Sequence, residues 1–168
     1  IDGSAPRKLP WADQHEGAAW YSPDGSRVAY TTHTPLEGLV LHFGERPGGS
    51  FVVAAADGSH AAEVFGARVR KTVWSPTGDR IAFTSGTSTE LRLVDVATGT
   101  VTSLAEEDGS GILSVLDFSP DGDRILFSRT EDQGTGPSSL WSIHADGSHL
   151  RRLVTGAAWG DWLSPSPT

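Results

Sequence analysis

Three serines in proline-containing turns are the first residues with a type and setting that could do chemistry. Ser22, Ser75 and Ser119 each follow an aromatic residue and precede Pro-x-Gly. A serine paired with a histidine and a carboxylate is the nucleophile of many hydrolases. Here the serines recur in register, whereas a nucleophile is singular, and the chain has no Gly-x-Ser-x-Gly motif. We therefore predict that these serines hydrogen-bond their turns and that the segment holds no catalytic residue.

Histidines could bind a metal ion, and this chain has no cysteine to assist them. The absence of cysteine excludes thiolate zinc sites, iron–sulfur clusters and disulfides. His60 and His149 occupy equivalent turns, while His33 and His42 fit no metal-ligand spacing. The complete set is His15, His33, His42, His60, His144 and His149. We predict no metal site and no cofactor.

Carboxylates cluster in two glycine-containing stretches, at 106–109 and at 117–123. Oxygen-rich loops of this kind can bind calcium, but neither stretch has the ligand spacing of an EF-hand loop. We interpret both as solvated acidic turns.

Internal repeats position all of these residues. The serines of four Ser-Pro segments lie at positions 22, 75, 119 and 164, which are 53, 44 and 45 residues apart. A second turn, usually Asp-Gly, interleaves with them, and the pentapeptide Ala-Asp-Gly-Ser-His occurs at 56–60 and 145–149. Asp-Gly between β-branched runs is typical of a tight hairpin. Four short strands in a period of about 45 residues predict a propeller blade.

We accordingly predict an all-β chain, a β-propeller of four-stranded antiparallel blades with three full blades and two partial ones. The 20 glycines and 10 prolines leave little room for long helices. The predicted strands lie near 17–21, 26–33, 50–56 and 60–65, then 70–74, 79–85, 90–96 and 100–104, then 114–118, 123–129, 138–144 and 148–154. Single strands near 4–9 and 160–163 flank these blades, so that residues 1–168 form one propeller segment.

Composition and charge exclude several classes of protein. With 168 residues, 37% hydrophobic and 20% charged, the chain can form a core and is not typical of disorder. It has no apolar run near the roughly 18 residues that a membrane helix requires. A net charge of −8 repels nucleic-acid phosphates. We expect neither membrane insertion nor nucleic-acid binding.

The repeat resembles the TolB-type, WD-like β-propeller unit, in which aromatic-Ser-Pro-Asp-Gly is followed by Arg/Lys-Ile-Ala-Phe. The matching residues are Tyr21 to Thr31, Trp74 to Thr84 and Phe118 to Ser128. The resemblance implies a periplasmic or extracellular protein of the cell envelope. The end of the chain, from Trp162, is similar to a TolB C-terminus, which implies the C-terminal half of a propeller of about six blades. An open half would expose sheet flanks and favour self-association.

Alternating strand direction places the Ser-Pro and Asp-Gly turns on one face and the longer loops on the other. Binding residues concentrate on variable loops over a rigid scaffold. Four long loops carry nine acidic residues against Arg46 alone, which predicts a protein or peptide partner with a basic surface. The candidate binding residues are Trp11, His15, Glu37, Leu41, His42, Phe43, Arg46, Glu106, Glu107, Glu131 and Asp132.

Recurring arginines and tryptophans are interpreted as scaffold. We expect Arg27, Arg80 and Arg124 to form a ladder between blades. The tryptophans predicted to pack between blades are Trp20, Trp74, Trp141 and Trp162, with Trp11 and Trp159 packed in the core or at the rim. An exposed indole at either rim position would instead be a binding anchor.

The leading hypothesis is a non-enzymatic, TolB-like binding module. The alternatives are the substrate-gating propeller of a prolyl-oligopeptidase-like hydrolase and a propeller that binds a small molecule or sugar.

Overall fold

The computed structural model describes residues 18–32, 49–107 and 109–162, and within them the chain folds into three four-stranded antiparallel sheets. We call these sheets blades 1, 2 and 3. Blade 1 contains β1 (Ala19–Tyr21), β2 (Arg27–Thr31), β3 (Phe51–Ala55) and β4 (Ala62–Phe65). Blade 2 contains β5 (Val69–Trp74), β6 (Arg80–Ser85), β7 (Glu90–Asp95) and β8 (Val101–Glu106). Blade 3 contains β9 (Ile112–Phe118), β10 (Arg124–Thr130), β11 (Ser138–His144) and β12 (Arg151–Thr155), with a short 3-10 turn at Asp132–Gly134. The all-β prediction and the three four-stranded blades are confirmed.

The last strands of blades 1 and 3 begin later than predicted, at Ala62 and Arg151 rather than at residues 60 and 148. The reason lies in His60 and His149, whose φ angles are 54° and 57°. A left-handed backbone conformation is incompatible with an extended strand. The hairpin turn therefore continues past the histidine in both blades.

The predicted single strand near 160–163 is not formed at residues 160–162, which have no regular structure. Among the described residues no strand of a further blade lies beside this segment. An isolated segment lacks the inter-strand hydrogen bonds that define a sheet. Residue 163 and the predicted strand at 4–9 lie outside the described residues.

The serine of each Ser-Pro-x-Gly turn closes that turn with its side chain. Ser75 Oγ accepts a hydrogen bond from the Arg80 N–H at 3.0 Å and donates one to Asp79 Oδ1 at 2.7 Å. Gly78 supplies the positive φ, 70°, that the turn requires. Equivalent bonds join Ser22 Oγ to the Arg27 N–H at 3.0 Å and Ser119 Oγ to the Arg124 N–H at 2.9 Å. The prediction that these serines hydrogen-bond their turns is confirmed.

The core consists of apolar side chains packed between neighbouring blades. Phe51 of blade 1 meets Phe83 of blade 2 with ring centroids 5.2 Å apart. The indole N–H of Trp74 crosses the same interface and donates to the Trp20 carbonyl at 3.0 Å. Between blades 2 and 3 the buried cluster comprises Ala82, Leu91, Leu93, Leu113, Val115, Phe118, Ile125, Phe127 and Ile143. Packing between sheets thus fixes the order and spacing of the loops.

Arginines reach forward from one blade toward the next. Arg80 Nη2 donates to the Gly122 carbonyl of blade 3 at 3.1 Å. The Arg124 guanidinium lies 4.9 Å from the ring centroid of Trp162, in the segment that follows blade 3. Arg27 is exposed and makes no such contact within the described residues. The predicted ladder between blades is therefore only partly formed: Arg80 joins blades 2 and 3, while Arg124 contacts the segment after blade 3.

Candidate functional site

Loops from blades 2 and 3 meet at the face opposite the Ser-Pro turns. The N–H of Leu113 in blade 3 donates to the Ser88 carbonyl of blade 2 at 2.6 Å, and the N–H of Gln133 donates to the Ser110 carbonyl at 2.6 Å. Within blade 2, the Glu107 N–H donates to the Thr89 carbonyl at 2.8 Å. Residues 85–90, 106–107, 109–111 and 130–138, which we call the loop face, are thereby joined across two blades.

Four of the eleven candidate binding residues fall within the described residues, all of them on the loop face. Glu106, Glu131 and Asp132 are exposed, whereas the Glu107 side chain is only 5% exposed. The seven candidates outside the described residues are Trp11, His15, Glu37, Leu41, His42, Phe43 and Arg46.

Arg129, which the sequence reasoning missed, holds the loop face together. Its Nε and Nη2 groups both donate to the Glu107 carboxylate, the second at 3.2 Å. Its Nη1 lies 3.7 Å from Glu131 Oε1. Glu107 is therefore a structural partner of Arg129 rather than an exposed ligand. The signal was in the repeat, because the equivalent positions of blades 1 and 2 carry Thr32 and Ser85.

The loop between β10 and β11 is tight, and it presents two of the exposed carboxylates. Asp132 and Gln133 both have left-handed conformations, with φ of 50° and 54°. Thr135 Oγ1 donates to the Asp132 carbonyl at 2.7 Å, which closes the loop. Within residues 18–32, 49–107 and 109–162, no three His, Asp or Glu side chains form a metal-ligand set. The loop face is thus a charged surface suited to attracting cationic groups.

Exposed apolar side chains also lie on the last strand of blade 3 and in the segment that follows it. Trp159 is 78% exposed, with Lys71 Nζ 5.0 Å from its ring centroid. The prediction that Trp159 packs in the core or at the rim is therefore wrong, because its indole is mostly exposed among the described residues. Leu150, Leu153 and Val154 are 53%, 46% and 45% exposed. We call Leu150, Leu153 and Val154, which lie on or directly before the outermost strand β12, the blade 3 flank.

The pKa of Asp117 is raised, whereas the pKa values of the aspartates in the Ser-Pro turns are lowered. Burial and a hydrogen bond with Asp161 raise the pKa of Asp117 to about 6. In the blade 1 turn, hydrogen bonds from Ser22 and Ser26 lower the pKa of Asp24 to about 2. Hydrogen bonds from turn residues also lower the pKa values of Asp79 and Asp121. The turn carboxylates thus stay ionised, and they accept hydrogen bonds as structural groups.

Comparisons with known proteins place the fold. No family model matches the chain. An uncharacterized protein of Agrobacterium fabrum is 33% identical over 98 residues, covering 56% of this chain and 31% of that protein. A putative TolB from Agrobacterium tumefaciens has a TM-score of 0.59 at 24% identity, covering 86% of this chain and 47% of its own.

Propellers of enzymes share the fold as well. An oligogalacturonate lyase in complex with manganese has a TM-score of 0.60 at 10% identity and covers 83% of this chain. The tricorn protease has a TM-score of 0.58 at 15% identity and covers 80% of this chain. This chain spans 39% of the lyase and 12% of the protease.

The chain spans less than half the length of each of these relatives. No helix among the described residues is long and apolar enough to cross a membrane. The three blades, their Ser-Pro turns and these similarities together support the resemblance to TolB-type β-propellers.

Proposed function

We propose that this chain is a non-enzymatic propeller module that binds a protein or peptide partner with a basic surface. The observation that carries the proposal is the grouping of three exposed carboxylates, those of Glu106, Glu131 and Asp132, on the loop face. Connections from two blades meet there over a packed scaffold, which is the usual setting for binding residues. A net charge of −8 would steer a basic partner toward it.

The same proposal covers the whole chain and its location. Residues 1–168 form one propeller segment, and the module works in the cell envelope, in the periplasm or outside the cell. Similarity to two TolB structures, from Agrobacterium tumefaciens and Acinetobacter baumannii, supports this location.

A non-enzymatic role is supported by the state of the serines. Ser22, Ser75 and Ser119 are buried, and the Oγ atom of each is engaged within its own turn. An oxygen held in this way is not presented to a substrate.

Two alternatives rest on the enzyme propellers that share the fold. The first is a substrate-gating propeller of a prolyl-oligopeptidase-like hydrolase, favoured by the similarity to the tricorn protease. The second is a sugar-binding propeller, favoured by the similarity to oligogalacturonate lyase. Titration with oligogalacturonate tests the second, and the acidic loop face predicts that this anionic sugar binds weakly.

The proposal is tested by titrating the chain with a fluorescent deca-lysine peptide at low and high salt. Asp132→Asn removes one exposed charge from the loop face, and Asp123→Asn removes one exposed charge from the turn face. We expect Asp132→Asn to weaken binding about threefold, or roughly 0.6 kcal/mol, while the control changes it little. Equal effects of the two substitutions, or binding that salt does not weaken, would contradict a basic partner at the loop face.

A further inference from the structure

The pentapeptide Ala-Asp-Gly-Ser-His forms the last hairpin of both blade 1 and blade 3. The residue before the pentapeptide differs, being Ala55 in blade 1 and His144 in blade 3. Both occupy the same register, since Ala55 pairs with Arg27 and His144 pairs with Arg124. The chain therefore contains one turn twice, once with a single histidine and once with two.

The two turns fold alike. The Ser59 N–H donates to Asp57 Oδ1 at 2.9 Å, and the Ser148 N–H donates to Asp146 Oδ1 at 2.8 Å. The following histidine is left-handed in both, at φ 54° for His60 and 57° for His149. The conformation of the second histidine is thus set by the turn and not by its neighbour.

In blade 3 this conformation brings two imidazoles together. The ring centroids of His144 and His149 are 4.7 Å apart, with the ring planes tilted by 34°. His149 is exposed and His144 is half-buried, so both are open on one side to solvent. Ser148 Oγ lies 2.8 Å from His149 Nδ1. Hydrogen bonds from Ser148 lower the pKa of Asp146, and Coulombic interactions with His144 and His149 lower it further.

We propose that His144 and His149 form a two-imidazole chelate for a divalent late first-row metal ion, such as Ni²⁺, Cu²⁺ or Zn²⁺. Imidazole nitrogen suits these ions, with metal–nitrogen distances of about 2.0–2.1 Å. Two rings at this separation can each direct one nitrogen to a common ion. In the tautomer that donates its Nδ1 proton to Ser148 Oγ, His149 offers Nε2 as the ligand.

Water completes the coordination, with the Asp146 carboxylate in the outer sphere. No third histidine or carboxylate within the described residues joins the two rings as a ligand. A site with two protein ligands exchanges metal readily. We expect it to bind Cu²⁺ more tightly than Zn²⁺.

The first test is calorimetric titration of the full chain with Ni²⁺ alone, with ¹H–¹⁵N spectra of the histidine side chains recorded in parallel. We expect paramagnetic Ni²⁺ to broaden the His144 and His149 signals before the His60 signal. His144→Ala should weaken Ni²⁺ binding at least tenfold, and the matched control His60→Ala should leave it within twofold. Thermal unfolding of each variant checks that the fold is kept.

The second test is a gain of function in blade 1. Ala55→His gives the first turn the same two histidines in the same register, so we expect one additional Ni²⁺ per chain at similar affinity. An unchanged stoichiometry would contradict the inference, as would a His144→Ala variant that binds Ni²⁺ as tightly as the parent chain. Broadening confined to His15, His33 or His42 would also overturn it. None of these outcomes depends on the acidic loop face.

Discussion

Blades 1 and 3 present equivalent strand positions to very different surroundings. Phe65 and Val154 occupy the same position in the last strand, since Phe51 pairs with Phe65 and Leu140 with Val154 just before the same register shift. Phe65 is covered by blade 2, with its ring centroid 5.3 Å from that of Phe83 and 4.7 Å from the Arg92 guanidinium. Val154 has no following blade among the described residues and is 45% exposed.

The inner part of the same blade 3 surface is nevertheless buried. Leu126 and Leu140 are 4% and 8% exposed. Gly160 lies so close that a Cβ built on it would be 2.9 Å from Leu140 Cδ1. The segment after β12 thus covers the inner half of the sheet and leaves the outer half, with Val154, in solvent. The repeat determines which side chains face forward, but the neighbouring segment determines whether they are buried.

The largest expected effect is the loss of packing where a whole blade covers the sheet. Leu91 is fully buried between blades 2 and 3, so Leu91→Ala should lower the free energy of unfolding by about 2–5 kcal/mol. Leu140 is the equivalent residue in blade 3 and is covered only by a short segment, so Leu140→Ala should cost less, about 1–3 kcal/mol. Urea denaturation measures both. Equal costs would mean that the segment around Gly160 packs as tightly as a complete blade.

The next effect concerns a turn that all three blades share. Ser75 is fully buried, and its hydroxyl joins the Arg80 N–H to Asp79. Ser75→Ala leaves the Arg80 N–H without its side-chain acceptor and removes one of the two hydroxyl hydrogen bonds to Asp79, the other coming from Thr77, and should lower the free energy of unfolding by about 1–3 kcal/mol. Ser26→Ala is the control, because Ser26 is exposed and, within the described residues, its hydroxyl bonds only Asp24; a loss below about 0.5 kcal/mol is expected there. Similar losses for the two variants would contradict a structural role for the buried serine.

The sequence was most informative where blades repeat. The Ser-Pro turns and the strand order followed from residues in register, because hydrogen bonds within one turn depend only on neighbours in the chain. His60 and His149 were placed in equivalent positions, although their left-handed conformations and the later start of the last strands were not foreseen.

Features unique to one blade were harder to predict. The pairing of Arg129 with Glu107 joins residues 22 positions apart, and although Arg129 departs from the residues at its repeat position, the repeat does not identify Glu107 as its partner. The sequence predicts that Trp159 packs, yet its exposure depends on which segment lies beside blade 3 in space. Glu106, Glu131 and Asp132 are exposed, as charged loop residues usually are, whereas Glu107 is nearly buried because it pairs with Arg129.

A smaller, pH-dependent effect should distinguish the inner end of blade 3 from the turns. The pKa of Asp117 is raised from 3.8 to about 6, so the folded state binds this proton more tightly than the unfolded state. Its contribution to stability is present below about pH 4 and is lost as the pH rises to about 6. Asp117→Asn should therefore stabilise the chain at pH 7 by roughly 1 kcal/mol after solvent screening, with no gain at pH 4.

Urea denaturation at the two pH values, with Asp123→Asn as an exposed control, measures this difference. If Asp117→Asn raised the free energy of unfolding equally at pH 4 and pH 7, ionisation of Asp117 would not be what destabilises the folded chain. The turn aspartates act in the opposite sense. Their pKa values are lowered, so their contribution is present above about pH 4 and is lost in stronger acid.

The smallest effect on stability should occur at the blade 3 flank, because Val154 is not covered by a following blade among the described residues. Val154→Glu replaces a 45% exposed side chain, and we expect the free energy of unfolding to change by less than about 0.5 kcal/mol. The same substitution places a charge on β12 next to the exposed Leu153, and exposed apolar surface favours association. Light scattering should therefore show concentration-dependent self-association of the parent chain that Val154→Glu weakens and Thr102→Glu, on the exposed part of β8, does not. A parent chain that stays monomeric at every concentration would show that the open half of this sheet is not a self-association surface.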